Sequence, residues 1–118
     1  MEKILRQSLL YDFYGELLTE HQKSVYEDYV LNDISLSEIA SERGISRQGV
    51  HDLIKRCDSI LENYESKLKL MSKFLETKDM VKEIQTITKE FEILNKSEHE
   101  KNLISKINEI SNRILEEM

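Results

Sequence analysis

The sequence predicts an all-α protein, and three observations carry that reading. Proline is absent from the 118 residues. Glycine stands only at positions 15, 44 and 49, so little interrupts a helix outside its caps. Apolar residues recur at alternating spacings of four and three, the period of a helix with one packed face. The longest such run is Val50, Ile54, Cys57, Leu61, Tyr64, Leu68, Met71 and Leu75, a sustained heptad seam. It predicts one helix from Ser46 to Leu75, about eight turns and roughly 45 Å long. A rod of that length outruns a small domain, so its second half must pack on something beyond the residues around its first turns.

The first helix is expected over Lys3–Leu18, where Ile4, Leu5, Leu9, Leu10, Tyr11, Phe13, Tyr14, Leu17 and Leu18 make most of the circumference apolar. That breadth predicts cover on two sides, or aromatic side chains left partly open for a dimer contact. Gly15 marks close approach of a neighbour. Thr19 with Gln22 is a capping box, in which the hydroxyl takes the third helical amide and the glutamine reaches back. It opens a second helix from Glu20 to about Leu31, with Val25 and Tyr29 inward beside Tyr26 and Val30, and Asn32-Asp33 ends it. Ser35 with Glu38 repeats the box and opens a short helix over Leu36–Arg43. Gly44 supplies the left-handed residue that helix ends favour, Ile45 is a buried joint, and Ser46 caps the long fourth helix.

That helix is expected to stop near Glu76-Thr77-Lys78-Asp79, with Thr77 or Asp79 capping a fifth that carries Met80, Ile84, Ile87, Phe91 and Leu94. Asn95-Lys96 closes the fifth helix, and Ser97 with Glu100 makes a third capping box. The last helix presents Leu103, Ile107, Ile110 and Ile114, flanked by Ile104 and Leu115. Short connections fold sequential helices back on one another, which gives a C-terminal antiparallel helical bundle. Two regions result: a reader module over residues 1–60, and a bundle or dimerisation region over residues 61–118 that is continuous with the long fourth helix. The seam and the apolar first helix together predict a homodimer, with the seam filled either within one chain or between two.

The net charge of −6 is unevenly spread. Residues 1–34 carry three basic and seven acidic groups, residues 35–58 four of each, residues 59–75 three and two, and residues 76–118 seven and ten. The reader is less acidic than its surroundings without being basic, which weighs against a strong phosphate-driven nucleic-acid binder. The single cysteine, Cys57, sits on the apolar seam and reads as a small core residue in a reducing compartment. The first seven residues lack the apolar run of a signal peptide, and no window reaches the ~18 apolar residues of a membrane span. The expectation is a cytoplasmic protein without membrane insertion.

Residues Leu36 to Val50 carry the pattern of a helix-turn-helix. Such a motif needs a short supporting helix with a small residue at the crossing, a tight turn, and a second helix whose early turns face outward. Ile39 faces the core, Ala40 permits the crossing, Gly44 makes the turn, and Val50 and Ile54 anchor the reader. The candidate binding residues are Ser46 at the cap and Arg47, Gln48, His51, Asp52, Lys55 and Arg56 on the outer face. Arginine grips guanine in a bidentate way and glutamine does the same for adenine. Gly49 either lets a ligand approach the backbone or relieves a clash with the supporting helix. A bare scaffold whose outer face binds nothing remains the structural alternative.

Residues 17–57 resemble the sigma-factor domain that reads the upstream promoter element, in the order Leu-Thr-x-x-Gln, Leu-Ser-x-x-Glu-Ile-Ala, Gly-x-Ser-Arg. More specifically, Ile45 to Arg56 continuing into Leu61-Glu62-Asn63-Tyr64-Glu65, with Phe13-Tyr14-Gly15 and Gln22 before them, is similar to the YlxM family of bacterial helix-turn-helix proteins. The similarity covers about the first seventy residues well, and the last forty match in being helical. The resemblance implies a sigma region 4-like fold and a regulatory role in the signal recognition particle pathway, because the family's genes sit beside those of the particle's GTPase and its receptor. The particle's RNA or its GTPase then joins DNA as a candidate partner.

Enzyme chemistry finds no support in the residues. His21, His51 and His99 fall in different helices without a second ligand at metal spacing, and no CxxC, HExxH or glycine-rich phosphate loop occurs. Neighbours in sequence project about 100° apart on a helix, so His51 and Asp52 form no relay. No catalytic residue, cofactor, metal or small-molecule substrate is implied. Two functions from different classes stand open: a regulatory protein of the targeting pathway that docks RNA or protein, and a dimeric, sequence-specific DNA-binding transcriptional regulator.

Overall fold

The computed structural model describes residues 1–94 and 97–118. Its described residues form six α-helices and no strand: α1 Lys3–Tyr14, α2 Glu20–Val30, α3 Leu36–Arg43, α4 Arg47–Leu68, α5 Leu70–Glu92 and α6 Glu98–Glu117, with a single 3-10 turn over Gly15–Leu17. The protein is all-α. It divides into two compact units, Met1–Met71 and Ser72–Met118.

The first unit is built around α4. Its buried stripe of Val50, Ile54, Cys57, Leu61 and Glu65 follows the helical period and meets α1, α2 and α3. Leu10, Tyr14, Leu18, Val25, Tyr26 and Ile39 complete this core. A polar ladder runs beside the apolar stripe where α1 crosses α4. Arg6 binds Glu62 through Nε and Nη2 at 2.6 and 2.7 Å, Gln7 Nε2 donates to Asp58 Oδ1 at 3.0 Å, and Tyr14 Oη donates to Glu65 Oε1 at 2.6 Å. The buried Tyr26 hydroxyl also donates to Asp58, at 2.6 Å, and burial followed by that bond pushes its pKa far above the ordinary tyrosine range. Burial, then the nearby Asp58 charge, raises the Cys57 thiol to about 11. The cysteine is a protonated core residue.

Several expectations need correction. The first helix ends at Tyr14 rather than Leu18, because the Leu18 amide closes on the Gly15 carbonyl at 3.0 Å and tightens the chain into the Thr19 cap. Its cover is one-sided: Ile4, Leu5 and Leu17 are exposed, while Gln7, Leu10 and Tyr14 are buried. Gly15 is crowded by its own helix, since a Cβ there would stand 2.8 Å from the Tyr11 ring. The capping box at Thr19 and Gln22 is complete. At Ser35 and Ser97 the serine takes the third helical amide, and Glu38 and Glu100 lie within hydrogen-bonding distance of the serine hydroxyl. Ile45 is 39% exposed and is no buried joint.

The largest correction concerns the fourth helix, which stops at Leu68 instead of Leu75. Lys69 adopts left-handed backbone angles, φ 57° and ψ 29°, and α5 starts at Leu70. Tertiary partners meet the new helix start: the Leu70 amide donates to Tyr14 Oη at 3.0 Å and the Met71 amide to the buried Glu65 carboxylate at 3.0 Å. Two of the four orphan amides that begin any helix are thereby satisfied. Glu76, Thr77, Lys78 and Asp79 lie inside α5, where nothing breaks the helix. The expected close at Asn95-Lys96 lies outside the described residues.

In the second unit, α5 and α6 are joined by a polar seam. Gln85 Nε2 donates to Asn112 at 2.7 Å, Thr88 Oγ1 to Asn108 at 2.5 Å, and Asn108 Nδ2 to Glu92 at 2.6 Å. Val81, Thr88, Ile104 and Ser111 are buried. Leu103, Ile107, Ile110 and Ile114, expected on the packed face of the last helix, are exposed.

Candidate nucleic-acid interface

The helix-turn-helix occupies α3, its turn and the first half of α4. Ser35 Oγ takes the Glu38 amide at 3.1 Å and starts α3, whose Ile39 and Ala40 are buried where the two helices cross. Gly44 stands at φ 66° and ψ 32°, a conformation that costs a residue with a Cβ roughly 1–2 kcal/mol. The Ile45 amide returns to the Ala40 carbonyl at 3.1 Å and completes the turn. Ser46 Oγ then accepts the Gly49 amide at 2.9 Å and caps α4. The nearest atom to a Cβ added at Gly49 is this same Oγ, 3.0 Å away, so the glycine makes room for the cap rather than for α3.

Burial of Val50, Ile54 and Cys57 determines which side of α4 faces water. Arg47, Gln48, Asp52, Lys55 and Arg56 are exposed and His51 is half-buried, so all of the expected binding residues gather around the outer turns, with Ser46 at their head. Gln48 Nε2 donates to Asp52 Oδ1 at 2.9 Å, one turn along. His51 Nδ1 approaches Asp52 Oδ1 to 3.6 Å, closer than their angular separation suggested and still too long for a hydrogen bond.

The charges resolve differently in space than along the chain. Arg43 is turned away, donating to Ser24 Oγ and Asp28 Oδ2 at 2.7 Å each and binding α3 to α2. Asp58 is turned inward to Tyr26 and Gln7. The outward face of α4 therefore presents Arg47, Lys55 and Arg56 against one carboxylate, Asp52. The cations of the helix-turn-helix thus gather on α4, while its two other exposed carboxylates, Glu38 and Glu42, lie on α3.

The structure adds one feature that the helix-turn-helix pattern did not point to. An open cleft of about 570 Å³ lies between the start of α2 and α4, lined by Thr19, His21, Gln22, Gly49, Asp52, Leu53 and Arg56. The only sequence signal for it is the Leu-Thr-x-x-Gln start of α2. Gln22 is occupied there, since its Oε1 accepts the Thr19 amide at 3.0 Å. Among the described residues no group of three or more His, Cys, Asp or Glu side chains is arranged to hold a metal ion, and no helix is long and apolar enough to cross a membrane.

Residues 1–104 match the family model described as "Putative helix-turn-helix protein, YlxM / p13 like". The chain belongs to this family. A UPF0122 protein of Thermoanaerobacter sp. (strain X514) is 42% identical over 115 residues, covering 98% of this chain and 96% of the relative. A UPF0122 protein of Bacillus thuringiensis (strain Al Hakam) is 45% identical over 95 residues, covering 80% of this chain and 86% of the relative. The match to the family model extends past the helix-turn-helix through α5 and into the start of α6.

Proposed function

We propose that this YlxM-like protein is a non-enzymatic, cytoplasmic regulator that engages a nucleic acid through the outer face of α4. The observation that supports the reading is the excess of cations on the outward side of α4, where Arg47, Lys55 and Arg56 stand against Asp52 and Asp58 is turned inward. Lys55 and Arg56 meet phosphate, while Arg47, Gln48 and His51 reach base edges or an unstacked loop, and Asp52 holds Gln48 in place. We read this regulator as acting in the signal recognition particle pathway, with the particle's RNA as the nucleic acid and its GTPase as a neighbouring protein partner, a reading that the family resemblance supports. No small-molecule substrate or cofactor enters the reading.

A second reading is a dimeric transcriptional regulator that sets two α4 helices into successive major grooves about 34 Å apart. The pairing of an outward Arg47 with an outward Gln48, side chains suited to guanine and adenine, favours it. One titration separates the two: the full chain against random duplex DNA, the particle's RNA and the particle's GTPase, each at two salt concentrations. The regulator reading expects RNA affinity with a salt slope that falls by about one unit for Lys55→Ala, and binding lost in Arg47→Ala with Lys55→Ala. Tighter duplex binding selects the groove reader. If neither nucleic acid binds, or the double variant binds as the wild type does, the α4 face is not a nucleic-acid site.

A further inference from the structure

The C-terminal unit has its grease on the wrong side for a molecule that works alone. The seam between α5 and α6 is largely polar, through Gln85–Asn112, Thr88–Asn108 and Glu92–Asn108. Ile84 and Ile87 on α5, with Leu103, Ile107, Ile110 and Ile114 on α6, are 39–57% exposed. They stand at helical spacing on both helices and flank a groove of about 460 Å³ lined by Ile87, Thr88, Ile104 and Ile107 among others. The opposite side carries a second groove lined only by Gln85, Lys89, Glu92, Asn108 and Asn112. One side of the hairpin is thus aliphatic and the other polar.

We infer that the aliphatic side of the α5–α6 hairpin pairs with the same side of a second copy of this chain, closing a four-helix bundle. Three arguments select a second copy. The first is area. Six side chains of roughly 180 Å² each, about half uncovered, leave on the order of 500 Å² in water, and Met80 and Leu94 extend the patch toward the roughly 800 Å² that each partner contributes to a standard interface. The second is form. Two helices with parallel rows at alternating three- and four-residue spacing are half of a bundle, and a two-fold axis supplies the other half with identical rows. The third is charge. Residues 72–118 carry eight basic and ten acidic groups, interspersed, so two copies meet without a strong field of one sign between them. This names the surface for the self-association in the second reading above, and it holds whatever α4 binds.

The test is the mass of the full chain by sedimentation equilibrium at tens of micromolar. Wild type is expected at twice its 14.0 kDa chain mass, and Ile87→Glu with Ile107→Glu at the single mass. Ile4→Glu with Leu5→Glu, on the exposed side of α1, is expected to stay dimeric. All five tyrosines lie within residues 1–71, so their near-ultraviolet dichroism reports the first unit alone and shows whether a variant retains it. Should that signal be lost, Ile107→Gln replaces the pair, with dimer dissociation expected to strengthen at least tenfold. A monomeric wild type, an undiminished dimer in the α5–α6 variants, or a dimer broken from α1 overturns the proposal. Loss of nucleic-acid binding with the dimer intact overturns only the reading of α4.

Discussion

The two units of this protein handle the same three-four spacing of apolar residues in opposite ways. In Met1–Met71, three helices surround α4, and its seam residues Val50, Ile54, Cys57 and Leu61 are buried to within a few per cent. In Ser72–Met118, two helices meet along a polar seam and leave their aliphatic rows in water. A helix with an apolar stripe needs neighbours on that stripe, and a hairpin of two cannot supply enough of them. The contrast shows that a three-four repeat states how much surface must be covered without saying by which chain.

The largest effect that separates the units comes from their cores. Leu61→Ala is expected to destabilise the first unit by about 2–5 kcal/mol, with a urea midpoint that does not depend on protein concentration. Ile110→Ala is expected to leave that unit's tyrosine signal almost unmoved and to lower the stability of the second unit in a concentration-dependent way. Equal, concentration-independent losses from both would erase the distinction between a closed core and an open one.

A smaller effect is expected where the first unit ends. Tyr14→Phe removes the hydroxyl that bridges Glu65 and the Leu70 amide, leaving buried polar groups short of a partner at a cost of about 1–3 kcal/mol. Hydrogen exchange at the Leu70 and Met71 amides should speed up ahead of that at Ile54. Unchanged protection there would mean that the helix break at Lys69 is held by something other than Tyr14 and Glu65.

The smallest is a pH effect at the α1–α4 ladder. The hydrogen bond from Arg6 holds the Glu62 carboxyl below its ordinary value of 4.5, against a modest opposing push from burial. A carboxylate with a depressed folded-state pKa stabilises above its unfolded value, and the contribution is lost as pH falls through the folded one. The pair is partly exposed, so solvent screening keeps it to about 1 kcal/mol or less. The stability difference between wild type and Arg6→Met should therefore be present at neutral pH and shrink below about 4.5. A difference that instead grew on acidification would contradict this pairing.

The sequence by itself determined whatever rests on neighbours in the chain. The caps at Thr19, Ser35, Ser46 and Ser97 and the left-handed turn at Gly44 stand where it placed them. The helix-turn-helix follows, because a hydroxyl reaching an amide three residues on, or a residue without a Cβ, needs no distant partner. The residues on the outer face of α4 were legible for the same reason: the period that buries Val50 and Ile54 turns Arg47 and Lys55 outward. Only the tertiary structure decided where α4 ends, since the heptad seam runs through Lys69 unbroken and the new helix start meets Tyr14, fifty-six residues before Leu70 in the chain. It likewise decided the charge that α4 presents outward, because Asp58 is turned inward by Gln7 on α1 and Tyr26 on α2. Which aliphatic row stays in water was a tertiary decision too: spacing places residues on a face, and only packing decides what covers it.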